Sequence, residues 1–157
     1  MEETQKYLED LGLPYELVNH KAVYTIDEAM AELPGRMEIK NLFIQDDKGK
    51  RQYLVCMPGV KKLDLKQLAG QLSEKKIRFC SPAKLMAMMG VTPGSVSLFC
   101  LMNPAASHVT LVVDRDLMEE KELGFHPLIN TATIYIQHVD VDKLLGSFSN
   151  AKEFMQL

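Results

Sequence analysis

Three short segments of this sequence could do chemistry together. Lys40-Asn41 supplies an amine and a carboxamide, Thr92-Pro93-Gly94-Ser95 supplies a glycine turn, and Gly124-Phe125-His126-Pro127 supplies an imidazole just before Asn130-Thr131. An ammonium, main-chain N–H groups and an imidazole around one hollow could bind a phosphate or an ester carbonyl and hold a water. Each piece also has an ordinary reading. Lys40 could guard an edge strand against aggregation. Gly94 is what a type II turn asks for after Pro93, and His126 before a proline fits an extended loop. Only the combination points to a site.

The elements that must position these residues follow from spacing. Met37–Ile44 is β-branched and aromatic, and Asp47-Lys48-Gly49-Lys50 joins it to a second apolar run, Gln52–Met57, which predicts a β-hairpin. Side chains alternate along a strand, so Ile39, Asn41 and Phe43 share one side and Lys40, Leu42 and Ile44 the other. Helices are predicted over Thr4–Leu11, from the capping box Thr25-Ile-Asp-Glu28 to Pro34, after Asp64, from Ser81-Pro82 to Gly90, and after Asp140. Further strands are expected at Tyr15–Val18, Ile77–Cys80, Val109–Val113 and Thr131–Ile136, with Leu123–Pro127 as a loop. Strands and helices do not alternate strictly. The pattern predicts one α/β (α+β) domain over residues 1–157, with a mixed, mostly antiparallel sheet flanked by helices.

Composition narrows the function classes. The 157 residues are 46% hydrophobic and 25% charged, as in soluble globular domains. No apolar run approaches the roughly 20 residues that span a bilayer, and the acidic N-terminus is unlike a signal peptide, so a cytoplasmic location is expected. The net charge of −3 argues against coating nucleic acid by bulk charge. A local basic patch at the hairpin tip, Lys48, Lys50 and Arg51, is the candidate for a smaller contact. Cys56, Cys80 and Cys100 are far apart and read as small buried residues. The four histidines show no ligand spacing, so no metal is expected. Neither phosphate-cradling glycine motif nor a G-x-S-x-G elbow is present.

The order of several motifs carries a resemblance. His20-Lys-Ala-Val-Tyr-Thr25 with Asp27-Glu28-Ala29, then Lys40-Asn-Leu-Phe43, then Val91-Thr-Pro-Gly-Ser-Val-Ser-Leu-Phe99, then Phe125-His-Pro-Leu-Ile-Asn-Thr-Ala-Thr133 resemble the YbaK and prolyl-tRNA synthetase-associated editing domains. Within that superfamily the chain looks most like the free-standing ProX (PrdX, ProXp-ala) type. The resemblance covers nearly the whole chain. It implies the same fold and a deacylase that clears mischarged aminoacyl-tRNA, typically alanine on the proline tRNA, without a cofactor.

By position, Lys40 matches the essential lysine, Gly94 and Ser95 the glycine turn beside the ester, and Asn41 and His126 the pocket wall. Thr25, Phe43, Leu98 and Asn130 complete the expected substrate pocket. Two departures bear on pocket shape: Leu98-Phe99 stands where many relatives have Pro-Phe, and Lys21-Ala22 where relatives often carry prolines. The implied partners are the aminoacyl-tRNA 3′ end and acceptor stem, with a transient contact to prolyl-tRNA synthetase, and neither DNA nor membrane. Alternatives are removal of cysteine or serine from tRNA, a non-catalytic binder or sensor of aminoacyl-tRNA, and an unrelated small-molecule binder.

Overall fold

Local chemistry starts and stops the helices. In the computed structural model, which describes residues 1–157, α1 (Glu2–Asp10) leads through β1 (Glu16–Asn19) to α2 (Ile26–Glu32). The Thr25 hydroxyl accepts from the Glu28 N–H at 3.2 Å, and the Glu28 carboxylate reaches back to the Tyr24 N–H at 2.9 Å. These two bonds satisfy donors that α2 would otherwise leave orphaned. The predicted hairpin is β2 (Ile39–Asp46) with β3 (Gln52–Pro58). Asp64 caps α3 (Leu65–Gln71), and β4 (Ile77–Phe79) follows. Ser81 caps α4 (Pro82–Met89), which ends at Gly90 with φ +72°, the left-handed conformation that favours glycine. The remaining elements are β5 (Thr110–Asp114), β6 (Glu122–Phe125), β7 (Ala132–Gln137), α5 (His138–Ser147) and β8 (Lys152–Met155). No helix is long and apolar enough to cross a membrane.

The strands form two sheets where a single sheet was expected. One is a three-stranded antiparallel sheet in the order β1-β7-β6. The other is five-stranded and mixed, in the order β4-β2-β3-β5-β8, with β3·β5 and β5·β8 parallel. Alternation sends Phe43, Leu54, Cys56, Leu111 and Val113 into the larger core between the sheets. Ile44, Tyr53, Val55, Met57 and Val112 face the smaller core, with Leu68 and Ala69 of α3.

One segment departs from its expected element. Leu123-Gly-Phe125, expected in a loop, lies in β6, where Leu123 and Phe125 are buried. A side chain at Gly124 would come within 2.7 Å of the Tyr135 ring, so only glycine fits beneath it. The uncharged run after Gly94 folds as a 3-10 helix over Leu98–Met102, capped by Ser97.

β4 pairs only with Ile44–Asp46, and the Cys80 N–H extends this to the Phe43 carbonyl at 3.0 Å. Gly59 N–H to Glu38 oxygen, 2.7 Å, and Asp46 N–H to Arg51 oxygen, 3.0 Å, show that even-numbered residues bond toward β3. Antiparallel alternation then turns the main-chain groups of Ile39 and Asn41 toward the open side.

Candidate active site

That open side is one wall of a cavity of about 210 Å³, lined by Val23, Thr25, Glu38–Leu42, Gly94, Val96 and His126 among others. It is smaller than the roughly 300–1,000 Å³ of pockets that enclose drug-sized ligands. Segments distant in the chain meet here. Lys40 and Asn41 come from the start of β2, Gly94 from the turn after α4, and His126 from the end of β6. Asn130 secures the roof: its carbonyl oxygen accepts from the Val23 N–H at 3.1 Å, and its side chain donates to the Val23 oxygen at 3.2 Å.

Each group has a defined hydrogen-bonding state. Lys40 donates to the Lys61 carbonyl, leaving two of the ammonium's three donors uncommitted. The Asn41 side-chain oxygen accepts from the Cys56 thiol at 3.1 Å, so its NH₂ group is the end left for a ligand. Ser95 N–H closes the turn onto the Thr92 oxygen at 3.2 Å, and Gly94 sits at φ +96°. This is the expected type II turn. No backbone acceptor takes the Gly94 N–H.

The electrostatics of the floor are set by burial. His126 Nδ1 donates to the Ala132 carbonyl at 3.3 Å, and burial holds its pKa below the usual histidine value. The ring is therefore neutral at pH 7, with Nε2 as its lone-pair acceptor. The His20 ring lies 6.4 Å away; its Nδ1 donates to the Lys21 carbonyl at 2.7 Å and its Nε2 meets the Thr133 hydroxyl at 2.9 Å. Glu38 is 9% exposed, with no donor at Oε1, and burial raises its carboxyl pKa.

A neutral imidazole and free amides around a small hollow, with the Lys40 ammonium anchored on the Lys61 carbonyl beside it, suit attack of water on an activated carbonyl. The family model of the aminoacyl-tRNA editing domain matches residues 20–144. The chain belongs to the aminoacyl-tRNA editing domain family. The Prolyl-tRNA editing protein ProX of Acetoanaerobium sticklandii is 32% identical over 152 residues, 96% of this chain and 93% of that one. Prolyl-tRNA synthetase associated domain-containing protein 1 of Danio rerio is 29% identical, over 91% of this chain and 79% of its own length. Among solved structures, a hypothetical protein aligns with TM-score 0.77 at 22% identity, covering 98% of this chain and 97% of that chain. Another, described as a candidate trans-editing enzyme for prolyl tRNA synthetase, aligns with TM-score 0.73 at 20% identity, covering 99% and 96%. These structural likenesses show a shared editing-domain fold.

Not every residue expected at the site lines the editing-domain cavity. Thr25, Lys40, Asn41, Gly94 and His126 do. Ser95 does not, and the turn consumes its N–H, which leaves Gly94 as the turn's free donor. Leu98 is fully buried in the core, because the 3-10 helix carries it away from the cavity. Phe43 is also core, touching only an adjoining hollow with Phe79 and Pro93. Asn130 acts through the strap it holds.

Arg51, expected to meet tRNA, is committed to the Glu74 carboxylate through Nε and Nη2, the latter at 2.8 Å. Lys48 and Lys50 are exposed at the tip, which at about 3.3 Å per residue lies about 20 Å from Lys40 along β2. Cys56 and Cys100 are buried as expected, whereas Cys80, at the end of the short β4 edge, is only partly buried. Desolvation pushes the thiols up, Cys56 to about 12 and Cys80 and Cys100 to about 11, so none is a nucleophile at pH 7. Sequence reasoning missed Glu38 and Tyr24. Tyr24 is 70% exposed at the cavity lip, 3.5 Å from where a Gly94 side chain would begin.

Proposed function

We propose that this protein is a trans-editing deacylase that hydrolyses mischarged aminoacyl-tRNA, with Ala-tRNA(Pro) as its substrate. The observation that carries this reading is the convergence of Lys40, Asn41, Gly94 and His126 on one small cavity. An aminoacyl ester is already activated, so placing a water and steadying the developing oxyanion are enough; one oxyanion donor is worth about 3 kcal/mol.

In this reading Lys40 holds a phosphate of the tRNA 3′ end, which fixes the ester over the cavity. The Gly94 N–H and the Asn41 side-chain amide polarise the carbonyl. His126 Nε2 accepts a hydrogen bond from the attacking water. The water oxygen bonds to the carbonyl carbon, the bond to the ribose oxygen breaks, and that oxygen leaves with a proton, giving free amino acid and uncharged tRNA. Lys48 and Lys50 extend the contact to the acceptor stem. A small cavity selects by exclusion, whereas one added methylene in an apolar pocket discriminates by only about 1–3 kcal/mol.

A panel of Ala-, Cys-, Ser- and Pro-tRNA tests this directly. Release of alanine from Ala-tRNA(Pro) should exceed release from the other three, and Lys40→Ala should reduce it to the uncatalysed rate. Preferred release of cysteine or serine would move the substrate assignment, and no release from any charged tRNA would remove the deacylase reading.

A further inference from the structure

Glu38 is the cavity-lining group that the proposed reaction leaves without a task. It stands just before β2, two residues from Lys40, and its main chain is locked by the Gly59 N–H at 2.7 Å. Gly59 itself has no room for a side chain, since a Cβ would come within 2.9 Å of Ile26 and 3.0 Å of the Glu38 oxygen. The segment is therefore held rigidly against the cavity wall, and the residue is 9% exposed with no donor at Oε1.

The nearby cations do not pair with it. Arg36 is stacked 3.4 Å over the Tyr135 ring and spends its guanidinium on Glu16 and Glu122, each at 2.8 Å. Lys40 donates to Lys61, and both His20 ring nitrogens have other partners. A buried carboxylate oxygen without a donor costs free energy unless a ligand supplies one.

We propose that Glu38 is the seat for the α-ammonium of the aminoacyl group. This rests on the deacylase reading for the identity of the ligand, and on the orphaned carboxylate for the contact. An aminoacyl ester carries one cation, next to the scissile carbonyl, and an ammonium brings three donors to an anion that has none at Oε1. Lys40 and Glu38 lie about 7 Å apart along the chain by strand rise, so the two opposite charges can hold a phosphate and an ammonium of one ligand at once. Glu38 thereby requires a free α-amino group and excludes acylated or deaminated esters.

Two amide-linked probes test the assignment without turnover: 3′-(L-alanylamino)-3′-deoxyadenosine and its propionylamino counterpart, which lacks the amine. Calorimetric titration of the wild-type protein should show the amine-bearing probe binding at least tenfold more tightly. Glu38→Gln should bind the two probes equally, and Glu38→Asp, which keeps the charge, should retain part of the preference. Equal binding by wild type, failure of both probes to bind, or a preference undiminished in Glu38→Gln would overturn the proposal, and the wild-type comparison decides even if a variant does not fold. An amine preference in a protein that deacylates no tRNA would remove the deacylase reading and leave Glu38 in its role. Release of alanine without an amine preference would do the reverse.

Discussion

Glu38 and His126 illustrate how burial sets opposite signs at neighbouring positions of one cavity. Burial raises the Glu38 carboxyl and lowers the His126 imidazole, in each case by disfavouring the charged form. For Glu38 the folded state binds the proton more tightly than the unfolded chain does, so stability falls as pH rises from the ordinary carboxylate range through the raised value. Glu38→Gln should therefore be more stable than wild type at pH 7, an advantage that disappears below about pH 4. An unpaired buried polar group costs about 1–3 kcal/mol, and about 2–4 °C per kcal/mol is the scale for a chain of this size. Thermal melts of both proteins across pH 4–8 check the sign. A residue kept at a cost to the fold, and lost at a cost to ligand discrimination, is the expected mark of a binding group.

At the scale of elements, the hairpin β2–β3 carries the site at one end and its basic tip at the other. Arg51 is held by Glu74 and lies within 3.7 Å of Asp46, so Lys48 and Lys50 carry what the tip offers to a phosphate backbone. Lys48→Glu with Lys50→Glu should weaken binding of full-length tRNA and flatten its salt dependence, by about 0.7–0.9 in log–log slope per lost contact. The same double variant should leave the alanylamino-adenosine affinity unchanged, because that probe is too short to reach the tip. Equal weakening of both ligands would place the damage in the fold instead. The opposite sheet contributes by rigidity: Arg36 ties the segment after α2 to β1 and β6, and its stacking on Tyr135 fixes the ring under which Gly124 must lie.

At the scale of the whole molecule, the sequence was readable where signals are local. The Thr25 capping box, the Ser81-Pro82 start, the Pro93-Gly94 turn and the β2–β3 hairpin all stand where residue chemistry put them. Less legible were features that depend on distant partners. β8 is short and half exposed, and it exists because β5 offers a parallel edge 41 residues earlier in register, Leu111 opposite Lys152. β6 is interrupted by Gly124, which makes sense only once Tyr135 lies across it. Lys40, Asn41, Gly94 and His126 could be picked out by type and by family likeness. Ser95 and Leu98 were expected at the site by family likeness as well, but the turn spends the Ser95 amide and the 3-10 helix buries the Leu98 side chain. Glu38 gave no signal, because its burial depends on the folded cavity wall rather than on its neighbours in sequence.

The three cysteines, unused by the proposed chemistry, have a consequence for the conditions under which that chemistry can run. Only the thiolate reacts readily with alkylating agents or peroxide, and burial, near complete at Cys56 and Cys100 and partial at Cys80, favours the protonated form of each sulfur. Iodoacetamide applied to the native protein at pH 7 should leave alanine release unchanged, while the same treatment after denaturation modifies Cys56, Cys80 and Cys100. The proposed chemistry would then run without any free thiolate, unlike that of enzymes built on an exposed sulfur nucleophile.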